Sequence, residues 1–181
     1  MIVVFEGLDG AGKTTLCDAL KTVLNEVIPE RAICFIKESN PGDSVAEKLE
    51  RLKFFDHRLH SDVLFVYDRA TIIDDFIYEP VFHEECSIFL QSPLILSWIK
   101  GLLQKALVIQ VVAPMTTIKR RLKQRGDQYV TVEDLRMIRE QYVEYYQRLG
   151  VQPVYVESNN LKVAVQQCIE LISNYTKGVK V

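Results

Sequence analysis

The chain has 181 residues, 48% of them apolar and 25% charged, with a formal net charge of −2. That length suits one domain, 1–181, with a proper core, and the near-neutral balance excludes a large nonspecific nucleic-acid or membrane surface, though not a local basic patch. Cys17, Cys34, Cys86 and Cys168 stand far apart with no C-x-x-C pair, so reduced and mostly buried thiols are expected in place of disulfides or a zinc site. No stretch approaches a transmembrane length and no basic leader precedes the first apolar run, so the expectation is a cytoplasmic protein.

In chain order, the first element is an apolar strand over 2–6, which runs into Gly7-Leu8-Asp9-Gly10-Ala11-Gly12-Lys13-Thr14-Thr15. A helix pattern follows from Lys13 to about Val27, through Leu16, Leu20, Val23 and Leu24, and Pro29 ends it. Residues 32–36 read as a second strand leading to Lys37-Glu38, with a turn signal at Asn40-Pro41-Gly42, and Ser44 caps a helix to about Phe55. Residues 63–67 form a third strand that delivers Asp68-Arg69, and 71–90 read as short helices around Pro80. A buried helix follows over 93–105, then a strand over 107–112 and a basic helix over 115–125. Thr131-x-x-Asp134 opens another helix, with Leu135, Ile138, Tyr142, Tyr145 and Leu149 as its buried stripe. A fifth strand over 154–156 and a helix over 161–175 close the chain.

Strands alternating with helices imply an α/β fold with a five-stranded parallel sheet covered by helices on both faces. Residues 7–14 fit G-x-x-x-x-G-K-[ST] between a strand and a helix, the arrangement of a P-loop NTPase fold. Glycines at 7, 10 and 12, with Ala11, let several N–H groups turn toward one anion, and the helix start adds its positive dipole end. Lys13 is expected to reach the β- and γ-phosphates of ATP and Thr14, beside Thr15, to ligand Mg²⁺. Ligands in such sheets sit beyond the carboxyl ends of the strands, so the loop, Glu38 and Asp68-Arg69 should converge. Asp68 suits a metal's water shell or, alternatively, a helix N-cap. Arg69 offers a bidentate phosphate fork or a surface ion pair. Glu38 is a candidate general base or a partner for nearby lysines. Arg121 and Arg125, at i, i+4 spacing before Gly126, share one helix face in the densest positive run and can close on a transferring phosphoryl group from a lid at about 120–131.

The stretch from Phe5 to Thr15 resembles the phosphate loop of thymidylate kinases, and the order Glu38, Asp68-Arg69 and Arg120 to Tyr129 resembles the wider nucleoside monophosphate and deoxynucleoside kinase group, in particular its small phage-type members. The resemblance implies that Asp9 lies near the acceptor sugar or the metal, that Asp68 is near Mg²⁺ and that Arg69 holds the acceptor phosphate. It also implies that catalytic arginines come from the lid, because Gly10 and Ala11 leave none in the loop. Departures fall where the acceptor is held: Asp68-Arg69-Ala70 for Asp-Arg-Tyr, and Lys37-Glu38-Ser39 for Arg-Glu-Pro.

The leading expectation is therefore a kinase that moves the γ-phosphoryl group of ATP, with Mg²⁺, onto a deoxynucleoside monophosphate, thymidylate or a modified relative. A second expectation is transfer to a hydroxyl of a nucleoside or of a modified base within DNA, with Lys48, Arg51, Lys53 and Arg58 as a basic strip for the backbone and Phe54 or Phe55 stacking a base. A noncatalytic nucleotide switch is disfavoured, because Ser158-Asn159-Asn160-Leu161-Lys162 reads as a helix cap and not as a base-reading motif. Related kinases are often homodimers, and the apolar helix over 93–103 suits a core or an interface.

Overall fold

A computed structural model describes residues 1–38, 44–82, 92–126 and 131–179. Its five strands, β1 (Ile2–Glu6), β2 (Ile33–Lys37), β3 (Leu64–Asp68), β4 (Leu107–Val112) and β5 (Val154–Glu157), form one parallel sheet in the order β2-β3-β1-β4-β5. Every residue of β1 is fully buried, which requires cover on both faces of the sheet. That cover comes from α1 (Lys13–Lys21), α2 (Leu24–Val27), α3 (Val45–Leu59), α4 (Thr71–Phe82), α5 (Pro93–Leu103), α6 (Met115–Arg125), α7 (Val132–Leu149) and α8 (Leu161–Thr176). One group joins α1 to α2 and α8; the other joins α4 to α3 and α7 and α5 to both.

The register sets the site. Phe5 pairs with Asp68 on one side of β1 and with Ile109 on the other, and Lys37 pairs with Asp68 across β2 and β3. The residues that leave β1, β2 and β3 therefore emerge side by side at one end of the sheet.

The differences from the sequence reading have local causes. The first helix breaks at Thr22-Val23 into α1 and α2. The region expected as short helices begins instead with one helix, α4, that carries Pro80 in its last turn; there the lost N–H leaves only the Phe76 carbonyl without its helical donor. Helix α3 continues to Leu59, beyond the expected Phe55. The Asn40-Pro41-Gly42 turn, Cys86 and His83 lie outside the described residues, as does 127–130 of the expected lid. Both expected caps form, as full capping boxes at Ser44 with Glu47 and at Thr131 with Asp134. Asn160 caps α8 by accepting from the Val163 N–H. Cys17 and Cys168 are buried, whereas Cys34 on the edge strand β2 is exposed.

Candidate active site

The loop between β1 and α1 is held from beneath and from the side. Gly7 has φ +140°, and a Cβ there would collide with the Val111 carbonyl of β4, so the chain can pass only without a side chain. Gly12, at φ +102°, forms the left-handed N-cap of α1. Lys13 folds back into the loop, where its ammonium donates to the Gly7 and Leu8 carbonyl oxygens, the latter at 3.0 Å. Burial, and then the charge of Arg69, lower its pKa from the usual 10.5 to about 8.

Thr14, in the first turn of α1, donates its hydroxyl to Asp68 Oδ2 at 2.7 Å. The other oxygen, Asp68 Oδ1, is buried and has no protein partner. A hydroxyl beside a carboxylate with one open, buried oxygen is an all-oxygen donor set that suits Mg²⁺, which needs few protein ligands and keeps its waters. Among the described residues no three His, Cys, Asp or Glu side chains converge as a metal cluster.

Arg69 turns the corner from β3 to α4 in the left-handed region, φ +72°, unlike every other non-glycine residue described. Its guanidinium bridges two carboxylates: one terminal nitrogen pairs with Asp9 of the loop, the other with Asp74 of α4 at 3.3 Å. Its Cζ stands 5.3 Å from the centre of the Tyr78 ring. Burial opposes its charge, but Tyr78, Asp74 and Asp9 more than offset this and raise its pKa.

Beneath these groups lies a carboxylate that the sequence reading passed over. Glu6, the last residue of β1, is fully buried; it accepts from the Ala70 N–H at 2.8 Å and from the Tyr142 hydroxyl at 3.0 Å. Burial, with the nearby Asp74 charge, pushes its pKa well up. Glu38 is engaged as well: its Oε2 accepts from both the N–H and the hydroxyl of Thr71 at 2.7 Å, capping α4.

Arg121 and Arg125 part company. Arg121 lies against the back of the loop and donates to the carbonyls of Gly10 and Ala11 at 3.0 and 2.9 Å, and to Ser158 after β5. Arg125, the last residue of α6, is exposed. Thr15 is also exposed, at the start of α1.

The expected basic strip loses Lys48: the residue lies on the inward side of α3, is buried, and pairs with Glu79 and, at 3.7 Å, with Asp75 of α4, while Lys53 is exposed and Arg51 is half-buried. Arg58 sits over the rings of Phe54, Phe65 and Tyr67 and donates to the Tyr67 hydroxyl at 2.6 Å. Phe55 is core, while Phe54 is exposed.

A family model described as thymidylate kinase matches residues 5–169. A curated thymidylate kinase of Mycoplasma mobile (strain ATCC 43663 / 163K / NCTC 11711) is 29% identical over 85 residues, 43% of this chain; the chain thus spans about 40% of the length of that relative. Among solved structures, the YorR protein of Bacillus subtilis, in complex with phosphorylated GDP, is similar with a TM-score of 0.71 and 24% identity, covering 96% of both chains. The thymidylate kinase of Ehrlichia chaffeensis is similar with a TM-score of 0.51 and 15% identity, covering 95% of this chain and 98% of that one.

Proposed function

The chain belongs to the thymidylate kinase family, and we propose that it is a phosphotransferase that moves the γ-phosphoryl group of ATP, with Mg²⁺, onto a deoxynucleoside monophosphate. The observation that carries this reading is the meeting of Lys13, the Thr14–Asp68 pair with its open oxygen, and Arg69 at one end of the sheet.

In this reading the loop amides hold the donor triphosphate and Lys13 leaves the Gly7 and Leu8 carbonyls to meet it. Thr14 and Asp68 would hold Mg²⁺, which, when bound, neutralises charge on the phosphates. Asp9 yields one side of the Arg69 guanidinium to the acceptor phosphate, whose oxygen is already anionic and needs no general base. Glu38 is committed to the start of α4, which supports a monophosphate acceptor over a hydroxyl. Arg121 positions the loop through its carbonyls, and Arg125 remains as the arginine that reaches the transferring group.

The same reading places the enzyme in the cytoplasm, acting on soluble nucleotides. No described helix is long and apolar enough to cross a membrane. The deciding assay is transfer from labelled ATP and Mg²⁺ to deoxynucleoside monophosphates, nucleosides, and plain and base-modified DNA. Label on a monophosphate, abolished by Lys13→Ala, is expected; label only on a nucleoside or DNA would sink the reading. A homodimer, with the exposed Leu94 of α5 at its contact, is checked by sedimentation of the wild type against Leu94→Glu, for which a smaller species is expected.

A further inference from the structure

Among the described residues, the buried side-chain polar atoms with no partner are Asp68 Oδ1, Asp74 Oδ1, Asp75 Oδ1 and Tyr78 Oη. Asp68 belongs to the phosphate end. The other three lie within a little more than one turn of α4, between Arg69 on one flank and Lys48 of α3 on the other. An unmet buried acceptor costs stability, and a donor brought to it by a ligand would offset that cost. Asp75 is 4% exposed, and its carboxyl points at α3, with Oδ2 on Lys48.

The chemistry of that surface is one-sided. Of the open atoms on the Arg69 side, Asp74 Oδ1 is a carboxylate oxygen, which only accepts, and Tyr78 Oη is a phenol that can accept or donate. Lys48 is engaged by Asp75 and Glu79, and the side of Arg69 that Asp9 would yield goes to the acceptor phosphate, Asp74 keeping the other. A second anionic group has no counter-charge to gain here, and a bare carbonyl would face lone pairs. What fits is a neutral edge that presents N–H or O–H.

The geometry points to the Asp74–Tyr78 face of α4, beside Arg69, as the surface that reads the acceptor base, selecting a base that carries a hydrogen-bond donor, an exocyclic amino or hydroxyl group, over thymine. This rests on the monophosphate-kinase reading and narrows its substrate. Thymine offers one ring N–H between two carbonyls and a methyl group, so it leaves most of the surface unmet. A site built to pair with a donor rejects an analogue lacking it far more strongly than an apolar pocket does.

Nucleotide pairs in which one member carries an exocyclic donor that the other lacks test this: dCMP against dUMP, where the donor also moves off the ring N3, dGMP against deoxyinosine monophosphate, and 5-hydroxymethyl-dUMP against dTMP. With ATP as donor, wild type is expected to favour the donor-bearing member of at least one pair by tenfold or more in kcat/KM, and the pair in which this occurs separates the amino source from the hydroxyl source. Asp74→Asn keeps the shape but adds a donating amide that can face a carbonyl. It is expected to cut that preference at least tenfold and to raise the rate on the disfavoured member, a gain that a merely structural role would not produce. Tyr78→Phe, which removes only the phenol oxygen, should narrow the preference without reversing it. Preference for dUMP and dTMP in wild type, or ratios unchanged in Asp74→Asn, would overturn the inference. If no monophosphate is phosphorylated, the kinase reading fails separately, and calorimetric affinities for the same nucleotides decide. A tenfold donor preference lost in Asp74→Asn upholds the surface, and equal or absent binding rejects it.

Discussion

Lys13 is the residue whose behaviour depends most on what fills the loop. Buried among backbone carbonyls, its ammonium is disfavoured, and its pKa falls from 10.5 to about 8. Between those values the unfolded chain holds a proton that the folded chain lacks, so the stability from this group rises as pH climbs from about 8 to 10.5, and below 8 its full cost is present. Bound phosphate favours the charged form, so ATP affinity is expected to fall about tenfold per unit above pH 8, readable by calorimetry at pH 7 and 9. Lys13→Ala is expected to cut phosphoryl transfer by about a thousandfold, the upper range for loss of one charge-stabilising donor. Asp9 was drawn from the family resemblance, whereas the places of Lys13 and Thr14 in the loop were legible in the sequence because the fixed spacing of one motif sets them. Glu6, Asp74 and Asp75 were not: each sits in an apolar run, where a carboxylate shows no period of its own, and only the fold reveals Tyr142, Arg69 or Lys48 beside it. Lys48 read as surface charge because a lysine is rarely buried without a partner, and its partners lie on another helix about 30 residues away.

At the scale of elements, capping chemistry and apolar stripes fixed the starts of α3 and α7 before any coordinates, because both signals are local. Ser44→Ala and Thr131→Ala should each lower unfolding free energy by about 1 kcal/mol in urea titrations, since each removes the side-chain acceptor of a complete capping box. The break after α1 and the continuation of α4 through Pro80 escaped the sequence reading because tertiary packing decides both. Helix α7 ties itself to its neighbours through hydroxyls: Tyr142 donates to Glu6 of β1 and Tyr146 to Gln110 of β4, while Tyr145 donates to the Ile72 carbonyl of α4. Their helical spacing announced a buried stripe but not these three donors. Tyr142→Phe would leave one Glu6 oxygen buried without its partner, and a loss of about 1–3 kcal/mol in the same titration is expected. The arginine pair shows the limit of spacing as a guide: i, i+4 puts two side chains on one face, but whether a phosphate or a loop carbonyl meets them depends on what that face packs against.

For the molecule as a whole, five apolar segments between helices were enough to specify a parallel sheet, while the order β2-β3-β1-β4-β5 required the structure. That order places β1 at the centre, paired with β3 on one side and β4 on the other, its residues without solvent exposure. Amides so enclosed exchange with deuterated water only when the entire domain opens, whereas edge positions of β2 and β5 exchange through smaller openings. The strand that leads into the phosphate loop thus doubles as a gauge of occupancy. A nucleotide that binds only the folded chain slows exchange at Ile2 to Glu6 by the factor 1 + [L]/Kd, so deuterium uptake in one short peptide reports affinity for any candidate substrate, even one on which no turnover occurs.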